Sequence, residues 1–321
     1  MWKTCIRSLA VACVAACSMQ GAFAADTVRI GGTANYGPVL PVQAAQALKL
    51  FDKVGVKISF TPFAGGSAGM EALAAGEVDI INYFPPGLAL ARKQGVKAAV
   101  VGADSLTPKG WAVMVKKDSP LQDLKDLDGK KLGISSAGST TDFFGLWAAN
   151  EAGGKVNRIP VGGPGLVPNL LSGNVDAIVA YPPLSYKVLL AGTGRTLVDF
   201  GKAMSTNLPD VWMASEAIIK DNPEGVRKAL VALYSAVAYM QSHPDWAIDF
   251  IMKQTSLPKD IATQEYENTI KGLSPDGAFE PAWVEESLKL AKLAGMQDVP
   301  PATELFTTQF VPVKTVAPDA K

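Results

Sequence analysis

Gly65–Pro86 (GGSAGMEALAAGEVDIINYFPP) and Gly162–Pro183 (GGPGLVPNLLSGNVDAIVAYPP) align without gaps at a constant offset of 97 residues. Nine of the 22 positions are identical: both Gly-Gly pairs, Leu73 with Leu170, Gly76 with Gly173, Val78-Asp79 with Val175-Asp176, Ile81 with Ile178, and both Pro-Pro pairs. Taken singly, a Gly-Gly or a Pro-Pro pair only punctuates a turn. Here their common register sets each Gly-Gly after a strand and at a helix start, and each aromatic-Pro-Pro at the close of the next strand. A repeat spaced this widely indicates two related lobes; a solenoid would repeat every 20 to 50 residues or so. Ligands of open α/β sheets bind beyond the carboxyl ends of the strands, so both motifs are expected to line one shared cleft.

Outward from the repeat, short β-branched runs alternate with helical stretches. TVRIGG precedes a helix near residues 38 to 51, VKISFTPF a helix near 67 to 75, and VDIINY closes the first series. The pattern resumes with KKLGIS, a helix near 140 to 152, VNRIPV, a short helix, VDAIVAY and RTLVDF. Such alternation predicts an α/β fold of two doubly wound lobes built on parallel strands with right-handed helical crossovers. From about residue 217 helices follow one another. Asn222-Pro223 starts one that carries Val226, Leu230, Leu233, Val237 and Met240 on one face, Ser242-His243-Pro244 breaks it, and another spans 282 to 294. These helices are expected to pack back on the first lobe, so the chain must cross between lobes twice.

The first residues read as an export leader: Lys3 and Arg7, the apolar run LAVACVAAC, then Ala22-Phe23-Ala24. A basic start, a short apolar core and a small-x-small site define a secretory signal peptide over residues 1–24, with cleavage after Ala24. Val14-Ala15-Ala16-Cys17 offers a second route, a lipobox that would anchor the protein through an acylated Cys17. No later segment has the roughly 18 uninterrupted apolar residues a membrane span requires. Cys5, Cys13 and Cys17, the three cysteines, all lie in the leader, so the Ala24 route leaves a mature chain without disulfide, thiolate metal site or cysteine nucleophile. That chain carries 28 basic against 30 acidic residues, which excludes the strongly basic face of a nucleic-acid-binding protein.

The succession GSAGMEALAAGEVDI, WAVMVKKDSP, DLKDLDGKKLGISSAGSTTDF, LLSGNVDAIVAYPP and DNPEGVRKALVALYSAV resembles ABC transporter periplasmic substrate-binding proteins of the nitrate, sulfonate and taurine family, which includes thiamine-synthesis-like members. The resemblance runs from about residue 27 to 295 and is specific in motif order more than in any one motif. It implies the type II periplasmic-binding fold: lobe 1 over residues 25–110 and 209–321, lobe 2 over 111–208, and crossings near 104–114 and 203–214. It also implies a periplasmic location, a permease partner in the inner membrane, a monomer, and closure of the lobes on a small molecule.

Within the expected cleft the loop Ser135–Asp142 (SSAGSTTD) joins a strand to a helix. The unpaired N–H groups and partial positive charge of a helix start hold an anion without a basic side chain. Gly138, Ser139 and Thr140 are therefore candidate ligand contacts, and Ser139 with Asp142 also reads as a capping box. Gly66 and Ser67 make the equivalent turn in the first lobe, while Tyr36, Tyr83 and Tyr181 offer flat apolar faces with one hydroxyl each. Trp212, in the second crossing, completes the set. Members of the family often carry an acidic residue immediately before the proline that ends the VDAI strand. Tyr181 stands there, which favours an anionic or neutral ligand over an ammonium compound. The one histidine, His243, sits at a helix boundary, and HExxH, Gly-x-Ser-x-Gly and Walker motifs are missing. The expectation is a binding protein with no metal, cofactor or catalytic residue. A ligand sensor acting through a receptor and a thiamine-pyrimidine-synthesis-like enzyme are the alternatives.

Overall fold

A computed structural model describes residues 27–204 and 208–319. The leader, Cys17 and the Ala24 site lie outside the described residues. Ten strands run along the chain: β1 (Thr27–Thr33), β2 (Lys57–Phe63), β3 (Ile80–Tyr83), β4 (Ala98–Ser105), β5 (Ala112–Lys116), β6 (Lys131–Ile134), β7 (Asn157–Pro160), β8 (Ala177–Ala180), β9 (Gly194–Asp199) and β10 (Asp210–Ser215). The helices before residue 200 are α1 (Leu40–Ala47), α2 (Leu50–Val54), α3 (Gly66–Ala74), α4 (Pro85–Lys93), α5 (Thr140–Ala152), α6 (Leu166–Ser172) and α7 (Leu184–Leu190). After them come α8 (Phe200–Ala203), α9 (Glu216–Asp221), α10 (Pro223–Ser242), α11 (Pro244–Thr255), α12 (Lys259–Asn268) and α13 (Pro281–Leu293).

The strands form two five-stranded sheets with the same plan, β2-β1-β3-β10-β4 and β7-β6-β8-β5-β9. In each, one strand runs antiparallel to both neighbours: β10 between β3 and β4, and β5 between β8 and β9. The antiparallel strand is in both cases the one that has just arrived from the other sheet, by way of residues 106–111 or 200–209. The two sequence repeats occupy equivalent places, α3-β3 in one sheet and α6-β8 in the other. Ile80–Tyr83 and Ala177–Ala180 are buried at every position, as a strand covered by helices on both faces requires. On the edge strand β2 no residue is buried, and Pro62, which donates no ladder hydrogen bond, is accommodated there.

Local signals set several boundaries. Lys49, at φ 56°, breaks the helix expected over 38 to 51 into α1 and α2. Gly153, at φ 67°, ends α5 where a left-handed residue satisfies the last carbonyls. Asn222 caps α10 by accepting from the Gly225 N–H at 2.9 Å, with Pro223 at the first helical position. α10 packs on α1, α2 and β1, which places the C-terminal helices on the first sheet, and α12 and α13 also reach α7 and α5 of the second. No described helix is long and apolar enough to cross a membrane.

Candidate functional site

The carboxyl ends of the two sheets face each other across a partly open cavity of about 30 Å3. That is room for a water or two. The sheets touch directly around it. Ser67 Oγ lies 3.1 Å from Ser136 Oγ and donates to the Ala137 carbonyl at 3.0 Å. Tyr83 donates its hydroxyl to the Gly138 carbonyl. Behind these bonds Phe84 packs edge-on against Phe143 and Phe144 of α5, at 5.6 and 5.8 Å between ring centres. These contacts tie the two walls of the cleft together.

The repeated glycine pairs have a steric reason to be there. A Cβ on Gly66 would lie 2.3 Å from the Tyr83 ring, and one on Gly87 equally close to its other side. On the opposite wall a Cβ on Gly163 would meet the Tyr181 hydroxyl at 2.4 Å. The second glycine of each repeat therefore clears space for a tyrosine at the cleft.

On the second sheet the wall is the loop between β6 and α5. Ser135 Oγ, Ser139 Oγ and Thr141 Oγ1 form a ring of hydroxyls 2.7 to 3.0 Å apart, and Ser135 N–H donates to Thr141 Oγ1 at 2.8 Å. Ser139 caps α5, accepting from Asp142 N–H at 3.3 Å. The capping box is only half formed, because the Asp142 carboxylate reaches one residue further back, to Gly138 N–H at 2.9 Å, and pairs with Arg158. Thr140 and Thr141 line the cavity as the first helical residues, so their N–H groups belong to the turn that has no intrahelical acceptor.

The first sheet contributes different chemistry. Tyr36, after β1, donates its hydroxyl to Asp210 Oδ2 at the start of β10. Asp210 is buried and lines the cavity. One strand over, Asn82 donates to the buried Asp104 at 2.5 Å. Burial raises both carboxyl groups well above the ordinary range; for Asp210 the charge of Asp104 adds to it and the Tyr36 bond opposes it. Burial, then Asp210, holds the Tyr36 phenol high as well. Tyr181 is pushed up to about 12 by burial alone.

Of the candidate residues, Tyr36, Gly66, Tyr83, Ser139, Thr140 and Tyr181 come together on this cavity. Ser67 and Gly138 stand beside it and bridge the two walls. Trp212 does not reach it. The indole is fully buried in β10, paired with Asn82 and Gly102, two residues or about 7 Å deeper in the sheet than Asp210. Residues 210–215, expected to be mostly crossing, are a central strand. Sequence reasoning missed Asp210 and Asn82. An aspartate immediately before a strand-like run, VWMAS, was the available signal for the first; nothing local marks the second. His243 is remote from the cavity, its ring stacked on Tyr239 at 3.9 Å and its Nδ1 3.0 Å from both Ser242 Oγ and the Tyr239 carbonyl. No cluster of three or more metal-ligating side chains exists among the described residues.

A family model described as "NMT1/THI5 like" matches residues 38–247. A provisionally named binding protein of Brucella abortus is 25% identical over 246 residues, 75% of each chain. The taurine-binding periplasmic protein of Escherichia coli is 27% identical over 211 residues, 64% of each chain. Among solved structures, the alkanesulfonate-binding protein of Xanthomonas axonopodis pv. citri bound to MOPS superposes with a TM-score of 0.75 at 19% identity, covering 87% of this chain and 96% of that one. A desulfurization enzyme has the same fold, with a TM-score of 0.61 at 15% identity over 89% of this chain and 97% of its own. The two-sheet architecture is the type II periplasmic-binding fold.

Proposed function

This chain belongs to the NMT1/THI5-like family, and from that premise we propose that it is the exported solute-binding component of an ABC importer. It takes a small organic anion, a sulfonate or carboxylate, into the cleft and hands it to a permease in the inner membrane. The leader is removed after Ala24 and the protein works in the periplasm. Lobe 1 comprises residues 25–110 and 209–321, lobe 2 residues 111–208, and they rotate about the crossings that contain Trp111 and the segment before Asp210.

The observation that carries this reading is the opposition of a hydroxyl-rich helix start, Ser135 to Thr141, and the Gly65-Gly66 turn across one cavity. An acid group of the solute replaces the mutual hydrogen bonds of the three hydroxyls and meets the N–H groups at the start of α5, where the helix dipole favours negative charge. Tyr36, Tyr83 and Tyr181 surround its organic body. Contact with both walls makes affinity higher in the closed state, and that difference is what shifts the equilibrium toward closure. The fold alone does not separate a carrier from an enzyme. The binding reading rests on the side chains at the cavity, which offer hydroxyls, amide, phenols and one carboxyl but neither histidine nor cysteine.

The test is a thermal-shift and calorimetric panel of short alkanesulfonates, carboxylates, aromatic acids, taurine and nitrate, with the bound compound recovered and analysed. A member present at 100 times its dissociation constant is expected to stabilise the protein by about 2.7 kcal/mol and to be returned unchanged. Failure of every anion to bind, or chemical turnover of one of them, rejects the proposal.

A further inference from the structure

Two chemically unlike sets of groups line the cavity. One is the hydroxyls and helix start of the 135–141 loop. The other is a meeting of three aromatic rings: Tyr36 and Trp111 at 6.0 Å and 82°, Tyr36 and Tyr181 at 5.5 Å and 89°, Trp111 and Tyr181 at 5.5 Å and 43°. The Asp210 carboxyl, 3% exposed, is bonded to Tyr36 and lines the same cavity. Neither lysine nor arginine lines the cavity, and no basic side chain pairs with Asp210 among the described residues. Buried without a countercharge, a carboxyl group keeps its proton, and a cation placed beside it favours the ionised form. Aromatic faces carry negative potential and attract cations in the same way.

Resting on the reading of the protein as a solute carrier, we propose that its solute is a zwitterion whose cationic end is an alkylated ammonium. The methyl-bearing nitrogen sits among Tyr36, Trp111 and Tyr181 against Asp210, and the acid group sits on the 135–141 loop. A primary ammonium is strongly hydrated and draws on hydrogen-bond acceptors in exchange for its water; the carboxyl here is already shared with Tyr36, the other acceptors are hydroxyl and amide oxygens, and the ring faces offer none. An alkylated nitrogen spreads its charge over methyl groups that pack on the rings, the chemistry by which aromatic cages select quaternary ammonium. The carboxylate that the residue at 181 does not provide comes instead from the start of β10.

The cage is also divided between the two sides of the cleft. Tyr36 follows β1 of the first sheet, Tyr181 follows β8 of the second, and Trp111 lies in the segment that joins them. With ring centres 5.5 to 6.0 Å apart, two pairs edge-to-face and one tilted, the rings leave no space between them for a trimethylammonium group. Opening separates Tyr36 from Tyr181, and closure around the cation rebuilds the cage at a wider spacing. Recognition of the positive end is therefore coupled to closure.

The experiment compares three sulfonates by calorimetry: N,N,N-trimethyltaurine, its carbon isostere 3,3-dimethylbutane-1-sulfonate, which keeps the sulfonate and lacks the positive charge, and taurine. The trimethylated cation is expected to bind the parent protein about tenfold or more tightly than the isostere, and more tightly than taurine. Asp210→Asn and Tyr181→Leu, checked for folding by thermal unfolding, are expected to lose that preference. Equal or tighter binding of the isostere overturns the proposal while leaving an organic-anion carrier intact. Tighter binding of taurine overturns the alkylated cation, and so does an unchanged preference in Asp210→Asn. Should either variant fail to fold, the three affinities of the parent protein decide alone. If none of the three sulfonates binds, the inference falls; failure of the whole anion panel as well removes the carrier reading beneath it.

Discussion

Glu265→Gln is expected to make the protein's stability much less dependent on pH, removing a loss of roughly 4 kcal/mol that the parent suffers between pH 4 and pH 8. Glu265 lies on α12, fully buried, and neither carboxyl oxygen has a hydrogen-bond partner. The backbone of Gly37 approaches so closely that a Cβ there would fall 1.5 Å from Glu265 Oε1. Burial raises this carboxyl from 4.5 to about 8, with Thr269 one turn further on opposing the shift. The native protein thus holds the proton more tightly than the unfolded chain. Above pH 4.5 the unfolded chain begins to lose it, so stability falls as pH rises and levels off once pH passes about 8. The glutamine side chain does not titrate, and any constant cost of its amide is the same at every pH. Asp104 and Asp210 contribute slopes of the same sign to both proteins, which the comparison removes. Denaturant unfolding from pH 4 to pH 9 measures the effect; parallel stability curves for parent and variant contradict it.

Replacing Ser139 and Thr140 together by alanine is expected to weaken solute binding by roughly 1 to 3 kcal/mol. Both residues line the cavity at the start of α5, and a bound acid group left without those hydroxyls is desolvated and under-bonded. Ser139 also caps the helix, so the double variant loses about 1 kcal/mol of folding stability. Thr140→Val separates the two effects, because it removes a cavity hydroxyl and leaves the cap in place. Titration calorimetry with the tightest member of the anion panel reads the loss directly, and unchanged affinity in the double variant removes the loop from the site.

Much of this architecture was legible because it is written twice. The 97-residue offset between Gly65–Pro86 and Gly162–Pro183 announced two related lobes, and burial on both faces made β3 and β8 read as short apolar runs. Capping chemistry marked the starts of α5 and α10 within a residue or two, since Ser139 and Asn222-Pro223 act through local backbone bonds. Features that depend on the partner sheet were not legible. Residues 210–214 fall within the stretch that reads as a crossing, yet with Ser215 they insert antiparallel between β3 and β4. That insertion puts Asp210 at the cleft and buries Trp212 behind it, an outcome set by where the chain returns and not by any neighbouring residue. Likewise, the pairing of Ser67 with Ser136 and of Tyr83 with Gly138 joins loops about 55 to 70 residues apart, which pattern alone does not align.

A solute that touches both walls holds them together. Small-angle scattering, recorded with and without a saturating amount of the tightest-binding anion, reads this on the parent and on the Ser139→Ala, Thr140→Ala variant. A smaller radius of gyration is expected for the parent when solute is added, and the variant is expected to require correspondingly more solute to reach the same compact state. Tight calorimetric binding by the parent with no change in its radius would contradict it.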